Sequence, residues 1–328
     1  MSQEGGYMER LVEELLSGNR RAAARLISQI ENDDPGKREL LKEIFPHTGR
    51  AYIIGVTGAP GAGKSSLVDC LLQKMRAEKL KVGVIGVDPT SPFSGGAILG
   101  DRIRMQEHAL DKDIFIRSMG ARGNLGGLAR STREAIQVLD AFGKDVIVVE
   151  TVGVGQSEVD IVQTADSTML VLTPAGGDSV QTIKAGIMEI ADFFVINKAD
   201  LPGTEKITTE INMMLDMKKD NSWRPPVLKT VSVRDEGIEA VWDALKEHRR
   251  SLEESGRLWE IRRNRIRREL TEQVEYLVKN RIWDRVKEQI EFASLVERIV
   301  QRKSDPYSAA CELLEGIDFY GEEGKKGV

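Results

Sequence analysis

Short runs of valine and isoleucine recur through the middle of the chain, and most are followed by segments with apolar residues three and four positions apart. The runs predict strands at residues 53–56, 82–87, 114–118, 146–150, 168–172, 193–197 and 227–231. Several are unbroken apolar runs, which is the mark of strands covered on both faces of a parallel sheet. Helical spacing fills most of the intervals, around 65–79, 128–142, 178–190 and 204–219. This alternation predicts an α/β fold, a doubly wound and mostly parallel sheet. In such sheets ligands bind beyond the carboxyl ends of the strands, so functional residues are expected just after each run.

The flanks read differently. Leu11, Leu15, Ala22, Leu26, Ile27 and Ile30 recur at helical intervals, interrupted at Gly18-Asn19, and a third helix follows Asp34-Pro35-Gly36 as far as Ile44. Residues 1–48 are therefore expected to form an N-terminal helical cap, and 49–255 the α/β domain. Residues 256–328 form a C-terminal helical arm rich in arginine. Its apolar stripe, from Ile282 to Val300, has no core of its own in view, so the arm is expected to pack on the domain and on a second copy.

Composition narrows the class. The 328 residues are 41% hydrophobic and 30% charged, with a net charge of −5, which gives no prior for nucleic acid or an anionic membrane. No apolar run approaches the ~20 residues of a membrane span. The N-terminus is acidic and amphipathic, unlike a signal peptide. Cys70 and Cys311 stand alone in apolar helical patterns, as plain buried thiols in a reducing cytoplasm.

The chemistry centres on Gly58-Ala59-Pro60-Gly61-Ala62-Gly63-Lys64-Ser65-Ser66, between the first strand and a helix. Its glycines let a backbone wrap an anion with the N–H groups inward, and the helix turns its positive end toward the same anion. At this spacing Lys64 reaches the β- and γ-phosphates and the Ser65 hydroxyl binds Mg2+. The second strand ends at Asp88, which either holds Mg2+ or caps the next turn. A glycine-rich loop follows as a candidate switch, and Asp101, Arg102 and Arg104 lie beyond it. The fourth strand ends at Glu150, placed to polarise a Mg2+-bound water, with Gly153 three residues on. Small G proteins usually carry Asp there. No glutamine directly follows Gly153, so slow intrinsic hydrolysis is expected, with Gln156 displaced.

The sixth strand runs into Asn197-Lys198-Ala199-Asp200. In this motif Asp200 accepts from the guanine N1–H and amine, Lys198 lies along the base and Asn197 braces the loop. Adenine lacks those donors and would leave the carboxylate unpaired. Ser232 and Val233 complete the base pocket through backbone N–H groups. The loop from Thr173 to Lys184 is either an ordinary helix start, capped by Asp178, or a charged mobile element with Gly176-Gly177 as its hinge.

Together GAPGAGKSS, VDPTSPFSGGAILGDRIRM, MGARGNLGGLAR, ETVGVGQSE, TPAGGDSVQTIKAGIMEIAD and NKAD resemble the MeaB/ArgK family of P-loop GTPases, to which the human methylmalonic aciduria type A protein is related. The likeness runs from about Leu11 to Ile317. It implies a homodimeric GTPase that binds GTP or GDP with Mg2+ and serves an adenosylcobalamin-dependent acyl-CoA mutase. Methylmalonyl-CoA mutase is the first expectation and isobutyryl-CoA mutase the other. The cobalamin belongs to the partner. The resemblance implies Asp88, Asp101 and Glu150 as metal and switch carboxylates, with Lys64, Asp101 and Glu150 as the catalytic set. It also makes residues 174–184 a second switch, with Asp178, Gln181 and Lys184 coupling nucleotide state to the mutase.

Three other functions fit less well. A small-molecule kinase, an older description of this family, needs an acceptor pocket that no motif suggests. A nickel-type insertion GTPase needs a His- or Cys-rich tract, and the chain has three scattered histidines and two cysteines. Nucleic-acid binding by the arginines from Arg257 to Arg268 lacks interleaved aromatics beyond Trp259, and acidic residues flank them.

Overall fold

The computed structural model describes residues 3–88, 108, 110–120, 127–151, 163–174, 191–217, 223–288 and 291–315. By internal contacts the chain divides into two compact units, Met1–Ile261 and Arg262–Val328.

In the first unit seven strands form one sheet in which every pairing is parallel. They are β1 (Tyr52–Thr57), β2 (Val82–Asp88), β3 (Ile114–Gly120), β4 (Val146–Thr151), β5 (Ser167–Leu172), β6 (Phe193–Asn197) and β7 (Val227–Thr230). The order across the sheet is β3-β2-β4-β1-β5-β6-β7. The expected strands all form. β1 lies inside the sheet, where the connections part to either side, which is the crevice position for a ligand.

The unbroken valine and isoleucine runs are explained by what covers the sheet. Successive residues point to opposite faces. Ile53, Ile85, Phe115, Ile147 and Val149 face a core built with α1 (Gln3–Leu16), α2 (Arg20–Asn32), α3 (Lys37–Ile44) and α5 (Gly127–Ala141). Ile54, Val56, Val84, Val148, Val171 and Val195 face a second core with α4 (Lys64–Ala77) and α7 (Ile238–Glu254). α6 (Thr204–Met217) closes a third cluster over β5 and β6 through Ile207, Ile211 and Leu215. The N-terminal helices thus share a core with the sheet. Leu15, Leu26, Ile27, Leu40 and Ile44 are fully buried there.

The start of β1 is held by side chains from elsewhere. The Asp140 carboxylate accepts from the backbone N–H groups of Gly49, Arg50 and Ala51, and Asp166 accepts from that of Ile53 at 2.9 Å. At the same amino end of the strands, opposite the glycine-rich loop, a buried polar chain crosses three elements. Tyr52 Oη lies 2.5 Å from Ser167 Oγ, which lies 2.5 Å from His248 Nδ1. Phe193 and Trp223 pack on the imidazole, and Asp192 stands 3.7 Å from its Nε2. Burial, helped by the charge of Arg257, pulls His248 down to about 4, while burial pushes Asp192 up to about 6.

α8 (Arg257–Glu288) is followed by α9 (Glu291–Val300) and α10 (Pro306–Glu315). Within the second unit α9 and α10 are in contact, Leu295 and Ala309 are buried, and Arg298 pairs with Glu312 at 2.9 Å. Ile266, Leu270, Val274 and Leu277, four and three residues apart on α8, are all exposed.

Candidate nucleotide site

β1 delivers its chain into the loop Gly58–Gly63, and α4 begins at Lys64. Gly58, Gly61 and Gly63 have φ of 141°, 76° and 87°, in the region where a side chain is strained. At two of them space is also closed. A Cβ on Gly58 would overlap the Val171 carbonyl, and one on Gly63 would overlap the Asn197 amide. α4 opens on Gly63 with no side-chain cap, so its first N–H groups face the concavity with the helix's positive end. Lys64 is buried and its Nζ donates to the carbonyls of Gly58 (2.7 Å) and Ala59 (3.0 Å).

The alternation along β4 places Glu150 on the α4 face, in step with Val146 and Val148. There Ser65 Oγ donates to Glu150 Oε1 at 2.6 Å, and each residue is only 9% exposed. The next pair outward, Thr151 and Thr57, is joined at 3.1 Å between hydroxyls. Register sets Gly86 of β2 opposite Glu150, so the Asp88 backbone lies two residues further along the neighbouring strand. Hydroxyl and carboxylate oxygens paired at the foot of an anion-binding loop are a hard donor set that suits Mg2+.

Asn197 ends β6 and links two halves of the site. Its Nδ2 donates to the carbonyls of Ala62 (2.9 Å) and Gly63 (3.4 Å). Its Oδ1 accepts from Thr230 Oγ1 (3.1 Å), Ser232 N (3.2 Å) and Ser232 Oγ (2.9 Å). Lys198, at φ 57°, reaches back so that Nζ donates to the Gly61 carbonyl at 2.8 Å. Asp200 is exposed at the rim, where Arg234 Nη2 donates to its Oδ2 at 2.6 Å. Ser232–Arg234 is a 3-10 turn whose Val233 side chain is exposed. One cleft of about 600 Å3 joins these groups, from Asp200 and Ser232 past Lys64 and Ser65 to Glu150. It continues over Gly86 and Ser118 on β2 and β3.

Of the expected site residues, Pro60, Gly61, Gly63, Lys64, Ser65, Ser66, Glu150, Asn197, Lys198, Asp200, Ser232 and Val233 line this cleft, while Gly58, Ala59 and Ala62 shape the loop behind it. Asp101, Arg102, Arg104, Gln156, Asp178, Gln181 and Lys184 lie outside the described residues. Sequence reasoning missed Arg234, whose signal is a charged residue directly after the expected base-pocket residues Ser232 and Val233. It also missed a role for Cys70, which is half-buried rather than buried. Its Sγ donates to the Ser232 carbonyl at 3.2 Å, and burial with the Asp235 and Asp69 charges pushes the thiol up. Among the described residues no group of three or more His, Cys, Asp or Glu could hold a metal ion, and no helix is long and apolar enough to cross a membrane.

A phosphate loop, a buried serine–carboxylate pair and an Asn-Lys-x-Asp turn on one cleft are the parts of a GTPase. Residues 23–289 match the family described as methylmalonyl Co-A mutase-associated GTPase MeaB. The chain belongs to the MeaB family. It is 54% identical over 314 residues to a Pyrococcus abyssi protein named as a GTPase, covering 94% of this chain and 97% of that one. GTPase ArgK of Escherichia coli is 36% identical over 281 residues, 83% of this chain and 85% of the relative. The mouse methylmalonic aciduria type A homolog, mitochondrial, is 36% identical over 275 residues, 78% of this chain and 66% of that protein. Among solved structures, that of a protein named LAO/AO transport system kinase superposes with a TM-score of 0.70 at 28% identity, covering 96% of this chain and 98% of that one. As a MeaB-family protein with a P-loop GTPase fold, this chain is a GTP hydrolase.

Proposed function

We propose that this GTPase is a nucleotide-dependent switch that attends a cobalamin-dependent acyl-CoA mutase. On this reading it gates adenosylcobalamin loading and protects or reactivates the enzyme. Methylmalonyl-CoA mutase is the first partner to test and isobutyryl-CoA mutase the second. The observation that carries the nucleotide half is the Ser65–Glu150 contact beside the uncapped start of α4. The partner half rests on the description of the family.

In this reading Lys64 exchanges its two loop carbonyls for β- and γ-phosphate oxygens, keeping its charge satisfied in both arrangements. Ser65 and Glu150 would hold Mg2+, with Asp88 and Asp101 as further carboxylates. When bound, the ion neutralises charge on the β- and γ-phosphate oxygens. Asp200 reads the guanine edge, and Asn197 holds the base turn and the phosphate loop in register. The segments carrying Asp101 and residues 174–184, with Asp178, Gln181 and Lys184, transmit the γ-phosphate's presence to the mutase. A chaperone of this kind needs two states of different partner affinity more than a fast turnover. On this reading the protein works in the cytoplasm and as a homodimer, the second of these supported by the exposed α8 stripe at Ile266, Leu270, Val274 and Leu277.

The deciding experiment is a pull-down of each mutase with the tagged protein in a GTP analogue and in GDP. Retention that differs between the two nucleotides is expected. Equal retention, or none, would overturn the switch reading. The kinase name carried by the similar solved structure gives a second reading. It is separated by following labelled γ-phosphate, which goes to water in a GTPase and to an acceptor in a kinase.

A further inference from the structure

The base-reading carboxylate already has a partner of a particular chemistry. Arg234 Nη2 donates to Asp200 Oδ2 at 2.6 Å, and Arg234 Nη1 lies 3.6 Å from Glu236 Oε1. The guanine edge, an N1–H beside an exocyclic amine on one carbon, is itself a cyclic guanidine. An arginine head offers a carboxylate the same pattern of N–H donors. We propose that Arg234 is a built-in stand-in for guanine: it holds Asp200 until the base arrives, is exchanged for it, and recaptures the carboxylate as the nucleotide leaves. This rests on Asp200 being the base-reading residue.

The surrounding geometry makes the exchange a side-chain movement. The turn that carries Arg234 is closed by Val231 N–H to the Glu236 carbonyl (3.0 Å) and by Arg234 N–H to the Val231 carbonyl (2.9 Å). Lys74 of α4 pairs with Asp235 (3.1 Å) and Glu239 (3.4 Å), and Cys70 of the same helix bonds Ser232, so the turn is pinned to the helix that follows the phosphate loop. Gly237, at φ 76°, sits so close to the Lys229 carbonyl that a Cβ would overlap it. The arginine head is half exposed, and Glu236 already stands within ion-pair range of it as a second acceptor. Both members of the Arg234–Asp200 pair are about half exposed, at 52% and 41% of their side chains. Solvent therefore keeps the pair weak, and a base with two donors and a stacking face can displace it.

A competitor inside the protein lowers apparent affinity by the fraction of molecules in which it occupies the site. Removing it must tighten binding. Arg234→Ala should bind GDP about two- to five-fold more tightly at low salt, the range set by an exposed ion pair. Wild type and variant should converge as salt screens the pair. Fluorescent GDP should also dissociate more slowly from the variant. A purely structural role for Arg234 would instead weaken binding and leave no salt-dependent convergence. Equal or weaker GDP binding by Arg234→Ala overturns the proposal. Asp200→Asn, assayed in parallel with GDP and xanthosine diphosphate, separates the two levels. A switch toward xanthosine with no gain from Arg234→Ala sinks the stand-in alone. Retained guanosine selectivity in Asp200→Asn sinks the base assignment and the stand-in with it.

Discussion

The backbone of Gly63 lies so close to the side-chain amide of Asn197 that a β-carbon on the glycine would overlap it. The two residues are 134 positions apart; one is the residue before α4 and the other opens the Asn-Lys-x-Asp motif. Gly63→Ala is therefore expected to combine two penalties. A side chain at φ 87° costs ~1–3 kcal/mol, and the overlap must be relieved by moving Asn197. Guanine nucleotide affinity should fall by about tenfold or more, equivalent to ~1.4 kcal/mol, with a lowered melting temperature. Isothermal titration with GDP checks it, and an affinity within twofold of wild type would contradict the packing argument.

Glu150→Gln keeps the shape of the Ser65 partner and removes its charge. Affinity for Mg2+ in the nucleotide complex should drop ~10–100-fold, with GTP hydrolysis falling at limiting Mg2+. GDP binding without Mg2+ should change little, because the amide that replaces the carboxylate can still accept from Ser65. Titrating Mg2+ against hydrolysis rate tests this. An unchanged Mg2+ midpoint would remove Glu150 from the metal set.

The buried chain of Tyr52, Ser167 and His248 at the amino ends of the strands predicts an acid response. His248 sits near 4 in the fold against an ordinary 6.5, so its contribution is complete above about 6.5 and is lost as pH falls toward 4. Asp192 sits near 6 against 3.8, so its contribution is complete below 3.8 and is lost as pH rises through 6. Between pH 6 and 4 the two oppose each other. In His248→Gln only the Asp192 response remains. The stability lead of wild type over this variant should shrink by about 2 kcal/mol between pH 7 and 4.5. Urea unfolding of both proteins at the two pH values reads it directly, and a constant lead would mean the histidine does not titrate differently in the fold.

The exposed stripe on α8 makes a prediction about assembly. If the proposed homodimer forms through this stripe, Leu270→Glu with Val274→Glu should give a monomer in light scattering while leaving GDP affinity within about twofold. This is because both side chains are already in solvent, at 64% and 51% exposure, and lie outside the unit that holds the cleft. A dimer that survives both charges would place the contact elsewhere.

Much of this was readable from residue order, for reasons that differ by element. The strands were legible because burial on both faces removes polar residues from runs such as Val146–Val149. The phosphate loop was legible because three backbone positions there accept little but glycine. Helical spacing announced α1–α3, but periodicity says only that a face is apolar, not what meets it. That Leu26 and Ile27 share a core with Ile53 and Ile85 comes from the fold alone. The Arg234–Asp200 pair was hidden for a similar reason. It exists because β6 and β7 are paired in register, Asn197 beside Thr230, which brings the two strand ends and the turns beyond them together. The metal and switch positions at Asp101 and at 178–184 rest on the family resemblance.

Asn197 has a consequence for anyone who would redesign this protein. A nucleotide site on a parallel sheet looks modular, a phosphate cassette after one strand and a base cassette after another. Here one side chain donates to two carbonyls of the first and accepts from three donors of the second. A base-reading segment transplanted from an adenine-specific enzyme would arrive without its tie to Ala62 and Gly63 and would loosen the phosphate grip as well. The two cassettes can be exchanged only together.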